Sequence, residues 1–437
     1  MITEQLLPVA RLATDAGPQS GEDTLERFRE VRRWSEIICA PLTPEDYVVQ
    51  SMADASPAKW HLAHTSWFFE QFLLKPNVPG YSSPHPQYEF LFNSYYNSVG
   101  DRHCRAKRGL ISRPTVEDTY RYRRHVDDAM GELLSCCNDR KLSELRPLIE
   151  LGFNHEQQHQ ELLVTDLKHM LSENPLLPVY RAWSRQSASA NAIEPLRWRT
   201  FEGGLRQIGF EGSKFCFDNE CPQHPEYIAP FSIANRLATN AEYMRFIDEG
   251  GYTRPEFWLS EGWATVQSRG WNAPMYWEKD GDAWTTFTLH GSVAVDPDEP
   301  VCHVSLFEAD AYAHWSGARL STEAEWEVAS HSSSSPGALA ESELFHPKAA
   351  ESRDGSHPVQ MIGDVWEWTR SQYTPYPGYR QAEGALGEYN GKFMCNQFVL
   401  RGGSCATPQS HIRSTYRNFF PSDVRWQFNG IRLAKDS

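Results

Sequence analysis

Twelve of the fifteen tryptophans lie between Trp183 and Trp426, and only Trp34, Trp60 and Trp67 come earlier. A single uniform core does not account for that division, so the 437 residues read as two units of different architecture. The change falls near 185–197, where the small, polar stretch Ser184–Ile193 reads as a linker. Residues 1–185 are expected to form one domain and 197–437 the other.

The first unit reads as helical. Segments at 22–40, 57–75, 115–137 and 141–172 carry helix formers with apolar residues three and four apart. Ser56-Pro57 supplies a side-chain oxygen at an N-cap followed by proline at the first helical position. Four such segments predict a helical bundle. A stretch rich in Pro, Gly, Tyr and Asn interrupts it from about 76 to 112, and loops of that length are usually functional or disordered. After 197, short apolar runs broken by Gly, Pro, Trp and Asn predict an α+β domain of short strands and long packed loops. Helices are expected there only at 239–249 and 305–330.

Composition removes several function classes. Hydrophobic residues make up 40% and charged residues 23%, the balance of a globular protein. No run of 18 apolar residues exists to span a membrane. The first residues lack a basic segment followed by an apolar one, so an export signal is not expected. A net charge of −15 argues against a nucleic-acid partner, which needs concentrated basic surface. Nine cysteines with no CxxC pair argue against a structural zinc module, and reduced, buried thiols in a cytoplasmic protein are expected.

His155-Glu-Gln-Gln-His159 sets two imidazoles about 40° apart on one helix face, shared with Leu162, Leu163 and Met170. Imidazoles aimed into an apolar interior need a partner for their lone pairs, and a metal ion is one. The helix after Ser56 carries Trp60, His64, Trp67 and Gln71 in one stripe about 60° wide, which makes His64 the third ligand. His61 is turned towards Phe68 and Phe72 and is expected to flank the site or pack. His169 lies ~15 Å along the helix from His159, too far to share an ion. Three histidines leave coordination positions open, as catalysis requires. Ligand type alone does not separate zinc, which would activate water, from iron, which could take a thiolate and O2. Gln158 flanks the metal face, where it can bond a bound ligand or face solvent.

Two groups of motifs then resemble known families. Trp60-His-Leu-Ala-His64 with His155-Glu-Gln-Gln-His159 resembles the DinB-like metal-binding four-helix bundle. Asn240-Ala-Glu-Tyr, Arg319-Leu-Ser-Thr-Glu-Ala-Glu-Trp, Gly363-Asp-Val-Trp-Glu-Trp-Thr, Leu400-Arg-Gly-Gly-Ser and Gly430-Ile-Arg-Leu resemble the formylglycine-generating-enzyme fold, itself similar to a C-type lectin. In this order, over nearly the whole chain, the combination is similar to the ergothioneine-biosynthetic sulfoxide synthases.

That resemblance implies a non-haem Fe(II) oxidoreductase. Such an enzyme uses O2 to join the sulfur of a cysteine derivative to the imidazole C2 of Nα-trimethylhistidine (hercynine), yielding a sulfoxide. It implies His64, His155 and His159 as iron ligands and Gln158 as a partner of the substrate imidazole. Arg105 and Arg108 would grip the carboxylate of the sulfur donor, as guanidinium groups suit a bidentate clamp. Asn418 falls in the C-terminal loop that closes over hercynine. A quaternary ammonium needs aromatic faces, which Phe419, Phe420, Tyr95 and Tyr96 can supply. The branch using γ-glutamylcysteine has an aspartate where this chain has Phe420, so free cysteine is the expected donor. Tyr95 and Tyr96 are the expected proton-donating phenols, with Tyr389 the nearest candidate in the second unit. The rivals are relatives that take γ-glutamylcysteine, histidine or a selenium donor, and a DinB-type zinc thiol transferase. A copper-dependent formylglycine-generating oxidase would need a cysteine pair, but only Cys405 follows Arg401-Gly-Gly-Ser. The intact histidine set argues against a non-catalytic lectin-like binder.

Overall fold

The computed structural model describes residues 20–182, 195–333, 335–351 and 357–437; the expected linker at 184–193 lies outside them. Helix α1 (Gly21–Cys39) opens on a reciprocal capping box between Ser20 and Asp23. Helix α2 (Ala58–Phe69) follows, then α3 (Val116–Cys136), capped in the same way by Thr115 and Asp118, and α4 (Asp139–Ser172), capped by Asn138. Helices α1 and α2 each pack against both α3 and α4, closing the bundle.

Every residue of α2 is buried, polar ones included, which marks it as the central helix. It runs on into a π-helical turn, Glu70–Leu74, where the buried Glu70 carboxylate accepts the hydroxyls of Tyr81 (2.8 Å) and Tyr122 (2.7 Å). The start of α2 differs from expectation. Pro57, not Ser56, occupies the N-cap, with no side-chain cap, because Ser56 is engaged elsewhere: its hydroxyl accepts from Arg108 and its N–H is given to Asp166.

The second half carries two four-stranded sheets, with a two-stranded and a three-stranded sheet beside them. One orders β1 (Trp198–Phe201), β2 (Phe231–Ala234), β8 (Leu433–Asp436) and β3 (Arg319–Leu320), all antiparallel. The other orders β6 (Asn418–Phe420), β5 (Phe398–Arg401), β4 (Trp366–Gln372) and β7 (Asn429–Gly430), with β7 parallel to β4. The helices beside them are α5 (Asn240–Asp248), α6 (Ser260–Arg269), α7 (Leu306–Trp315) and α8 (Glu323–Ser330). The sequence reading missed α6. It also joined α7 and α8 into one helix, whereas Gly317, at φ 68°, ends the first and β3 intervenes.

The motifs of this half are its internal framework. Arg401 of the Arg-Gly-Gly-Ser segment pairs with Glu327 of α8 at 2.6 Å, and Arg432 pairs with Glu367 of β4 at 2.8 Å. Trp326 also donates its indole N–H to Glu367, at 2.7 Å. Glycine is required at Gly402, where φ is 99° and a Cβ would stand 2.6 Å from the Met361 carbonyl.

One apolar cluster runs from Phe28, Trp60 and Trp67 of the bundle to Trp366, Tyr389 and Leu400 of the second half. Polar bonds follow the same seam along one stripe of α4. Asn154, Gln158, Glu161, Thr165 and Lys168 recur at helical spacing, and each bonds a residue of the second half. The buried Glu161 carboxylate accepts Trp366 Nε1–H (2.7 Å), Thr407 (2.7 Å) and Ser404. No described helix is long and apolar enough to cross a membrane.

Candidate metal centre

The fold brings His64 of α2 against His155 and His159 of α4. Their ring centroids form a nearly equilateral triangle, with sides of 4.8, 4.7 and 4.7 Å. All three are buried. Among the described residues, this is the one set of three His, Cys, Asp or Glu side chains close enough to hold an ion, its donor atoms lying within 4.8 Å of one another.

Packing fixes each ring. Trp60 and Trp67, one turn either side of His64, stack on its two faces at 4.5 and 5.5 Å. Phe68 stacks on His155 at 4.6 Å. Burial pushes the His155 pKa down to about 3, and burial with the neighbouring imidazoles pushes His64 and His159 well below the usual range. All three are therefore neutral at pH 7, the form that ligates a cation.

The donor set fits a divalent metal. His64 donates Nδ1–H to the Phe92 carbonyl at 2.6 Å, which leaves Nε2 bare, 3.1 Å from Nε2 of His155. Nδ1 of His155 is buried without a partner. Among the described residues no carboxylate or cysteine joins the set. Three neutral nitrogens with vacant positions beside them match a catalytic rather than a structural ion.

Gln158, between the two histidines on α4, is held at both ends of its amide. Tyr389 donates its hydroxyl to Oε1, and Nε2 donates to Tyr416. Tyr416 donates in turn to Nε2 of His411 (3.1 Å), whose Nδ1–H goes to Oδ1 of Asn154 (2.9 Å). This chain assigns the orientation of Gln158, which an isolated amide would leave open. Sequence reading did not find Tyr416, His411 or Asn154. Asn154 carried the one available signal, lying a helical turn before Gln158.

The other expected residues are placed as follows. The Tyr95 ring lies 4.7 Å from Tyr96 and 5.9 Å from Tyr389. Tyr96 lies 6.4 Å from His155, its hydroxyl buried and without a partner. Arg108 is buried, its guanidinium 3.3 Å from the ring centroid of Trp60, on which His64 stacks. It bonds Ser56 (2.9 Å) and Ser94 (3.2 Å) but pairs with no carboxylate among the described residues, and its Nε has no partner. Arg105, by contrast, is exposed and donates to the Asp54 carbonyl. Asn418, Phe419 and Phe420 form β6, one layer back. Phe419 stacks on Tyr373 at 4.0 Å and meets Phe393 at 5.8 Å, and Phe393 in turn abuts Tyr95 at 5.6 Å.

All nine cysteines are free. The expectation of buried thiols holds for Cys39, Cys302 and Cys405, whereas Cys104, Cys136 and Cys395 are exposed.

Comparison with known proteins agrees with this architecture. A family described as the sulfatase-modifying factor enzyme 1-like domain matches residues 199–358 and 357–437. The hercynine oxygenase of Mycolicibacterium smegmatis is 33% identical over 416 residues, covering 87% of this chain and 91% of that one. That of Mycobacterium tuberculosis is 32% identical over 409 residues, covering 87% and 91%. The formylglycine-generating enzyme of Streptomyces coelicolor is 28% identical over 300 residues, covering 57% of this chain and 95% of its own length.

Proposed function

The chain belongs to the hercynine oxygenase family, and from that premise we propose that it joins the sulfur of free cysteine to C2 of the hercynine imidazole at an Fe(II) centre. His64, His155 and His159 hold the iron, O2 is the oxidant and the product is a sulfoxide. The single observation that carries this reading is the triangle of neutral, buried imidazoles with Gln158 beside it. When bound, Fe(II) would supply open positions for a thiolate and for O2 and would relay electrons. The four electrons that reduce O2 come from the substrates, two as the S–H and C–H bonds give way to C–S and two as the sulfur becomes a sulfoxide.

The chain's own residues supply positioning. An amide carries two N–H donors and two acceptor lone pairs. Gln158 uses one of each on Tyr416 and Tyr389, which leaves one of each, in fixed directions, for the substrate imidazole. Arg108 is a buried cation in want of an anion, and the cysteine carboxylate answers it. Arg105, on the outer side of the same turn, adds charge at the entrance. Aromatic faces of Tyr95, Tyr96, Phe419 and Phe420 receive the trimethylammonium group, and Asn418 takes the hercynine carboxylate side. Phe420 favours cysteine over γ-glutamylcysteine, since it offers no counter-charge to the polar glutamyl group. Tyr95 or Tyr96 delivers the proton, because the Tyr389 hydroxyl is committed to Gln158. The division at 185–197 separates a metal-holding unit (1–185) from a unit that walls the substrates (197–437).

The test is aerobic incubation of Fe(II)-loaded protein with hercynine and either thiol, with products read by mass. Sulfoxide from cysteine alone is expected. Product only from γ-glutamylcysteine overturns the donor assignment, and turnover without O2 overturns the iron reading in favour of a zinc transferase.

A further inference from the structure

His159 is backed in a way the other two ligands are not. His61 sets its Nδ1 2.9 Å from Nδ1 of His159 and its Nε2 3.1 Å from Oδ2 of Asp166. The same carboxylate oxygen accepts the Ser56 N–H at 2.8 Å. All four residues are buried. His64 has only a backbone carbonyl behind it, and His155 has nothing on Nδ1.

One arrangement of protons satisfies these contacts and leaves His159 able to ligate. A carboxylate only accepts, so His61 carries its proton on Nε2, towards Asp166. With that proton on Nε2, a lone pair at Nδ1 of His61 takes the Nδ1–H of His159. His159 is left with one lone pair, on Nε2. Reversing the arrangement would put a proton on that nitrogen and close it to a metal.

We propose that His61 and Asp166 are positioning residues of the metal centre: they lock the tautomer and ring orientation of His159 and raise its strength as a donor. The inference rests on the metal-centre reading above. Its physical basis is general, since an acceptor behind a ligating histidine fixes the ring and increases its basicity. Here the acceptor is an imidazole relayed to a carboxylate. Asp166 lies two turns beyond His159 on the same face of α4, and Ser56, which ties it to α2, also bonds Arg108 at 2.9 Å. The metal support and the Arg108 guanidinium, which pairs with no carboxylate among the described residues, are thus anchored on one residue.

The experiment titrates the metal-free full-length protein with Co(II) alone, reading the dissociation constant, the visible ligand-field band and the metal-induced rise in Tm. Replacing His61 with leucine (H61L) is expected to weaken Co(II) binding about 10–100-fold and to shift the band. In H61N, Oδ1 replaces the Nδ1 acceptor, so most of the affinity returns. D166N keeps an acceptor and loses only the charge, and falls between. A merely structural role would lower the metal-free Tm while leaving the band and the metal-induced rise unchanged, and that result overturns the proposal. So does H61L binding Co(II) within twofold of the parent. Should H61L not fold, D166N decides, and parent-like affinity and band in it overturn the proposal. If the parent binds no Co(II) that depends on His64 and His155, the metal-centre reading itself falls and this inference with it.

Discussion

Arg108 and Tyr96 are the side chains whose surroundings say most about chemistry, because each lacks what a buried polar group normally has. Burial and the nearby Arg105 charge disfavour the Arg108 cation, Asp166 only partly offsets them, and the Arg108 pKa is pulled down to about 8, so a substrate carboxylate placed against it would hold the charge. Arg108→Ala should raise KM for the thiol donor about 10–100-fold, the value of a charged hydrogen bond, with a smaller effect on kcat. Arg108→Lys should recover little, since a point charge cannot reproduce the planar contact with Trp60. Steady-state kinetics at saturating hercynine checks both. Tyr96→Phe removes a buried hydroxyl that has no partner. It should therefore stabilise the fold by up to about 1–3 kcal/mol in a denaturant titration. The same variant should lose sulfoxide and accumulate oxidised cysteine, and Tyr95→Phe is the parallel test. Unchanged product ratios in both variants would remove these phenols from the mechanism. At this scale the sequence was legible for the three ligands, because HxxxH and a histidine between tryptophans are spacing signals. Tyr416 and His411 gave no such signal, since they reach Gln158 from more than 250 residues away.

Helix α4 is the element on which everything converges. One face ligates, one packs in the bundle and one meets the second half, and the polar residues of that last stripe explain why its apolar periodicity is imperfect. Glu156 shows the cost of building such a helix. Buried beside His155, it is held by Arg32 (2.9 Å), Arg123 (2.7 Å) and Ser35 (2.6 Å), a network in which losing one partner strands a charge. Further along, Lys168 is buried against Tyr276 and Phe428, with Nζ 2.7 Å from Nε2 of His303 and no carboxylate in reach among the described residues. Burial pushes its pKa down to about 8, against some opposition from Cys302 and Cys405. Between that value and the ordinary 10.5, the unfolded chain binds more protons than the folded one, so this residue's contribution to stability rises with pH. Relative to Lys168→Met, the parent should gain roughly 3 kcal/mol between pH 7.5 and 10.5. Paired denaturant titrations across that range would show it, and parallel curves would refute it.

Across the whole molecule the two halves share one core and one site, so accessibility is set by the assembled chain. Cys104, Cys136 and Cys395 are exposed, while Cys39, Cys302 and Cys405 are buried. Burial raises the Cys39 and Cys302 pKa values to about 12, and pushes that of Cys405 well above the usual thiol range. Thiolates are the reactive form, so native protein should show three fast thiols in a disulfide-exchange titration, and denaturant should release all nine. The half-buried Cys137, Cys216 and Cys221 should follow more slowly, and fast labelling of Cys302 or Cys405 would mean that the seam opens readily.

Local pattern determined the four bundle helices to within a few residues, the change of architecture after the bundle and the three histidines that converge, because each is written in periodicity or short spacing. It misjudged the cap at Ser56 and the break at Gly317, where a distant arginine and a single left-handed residue outweighed propensity. Only the tertiary structure decided which imidazole backs which ligand, how Gln158 is turned and which cation stands without an anion. Those are contacts between segments far apart in the chain, and no short window of sequence encodes them.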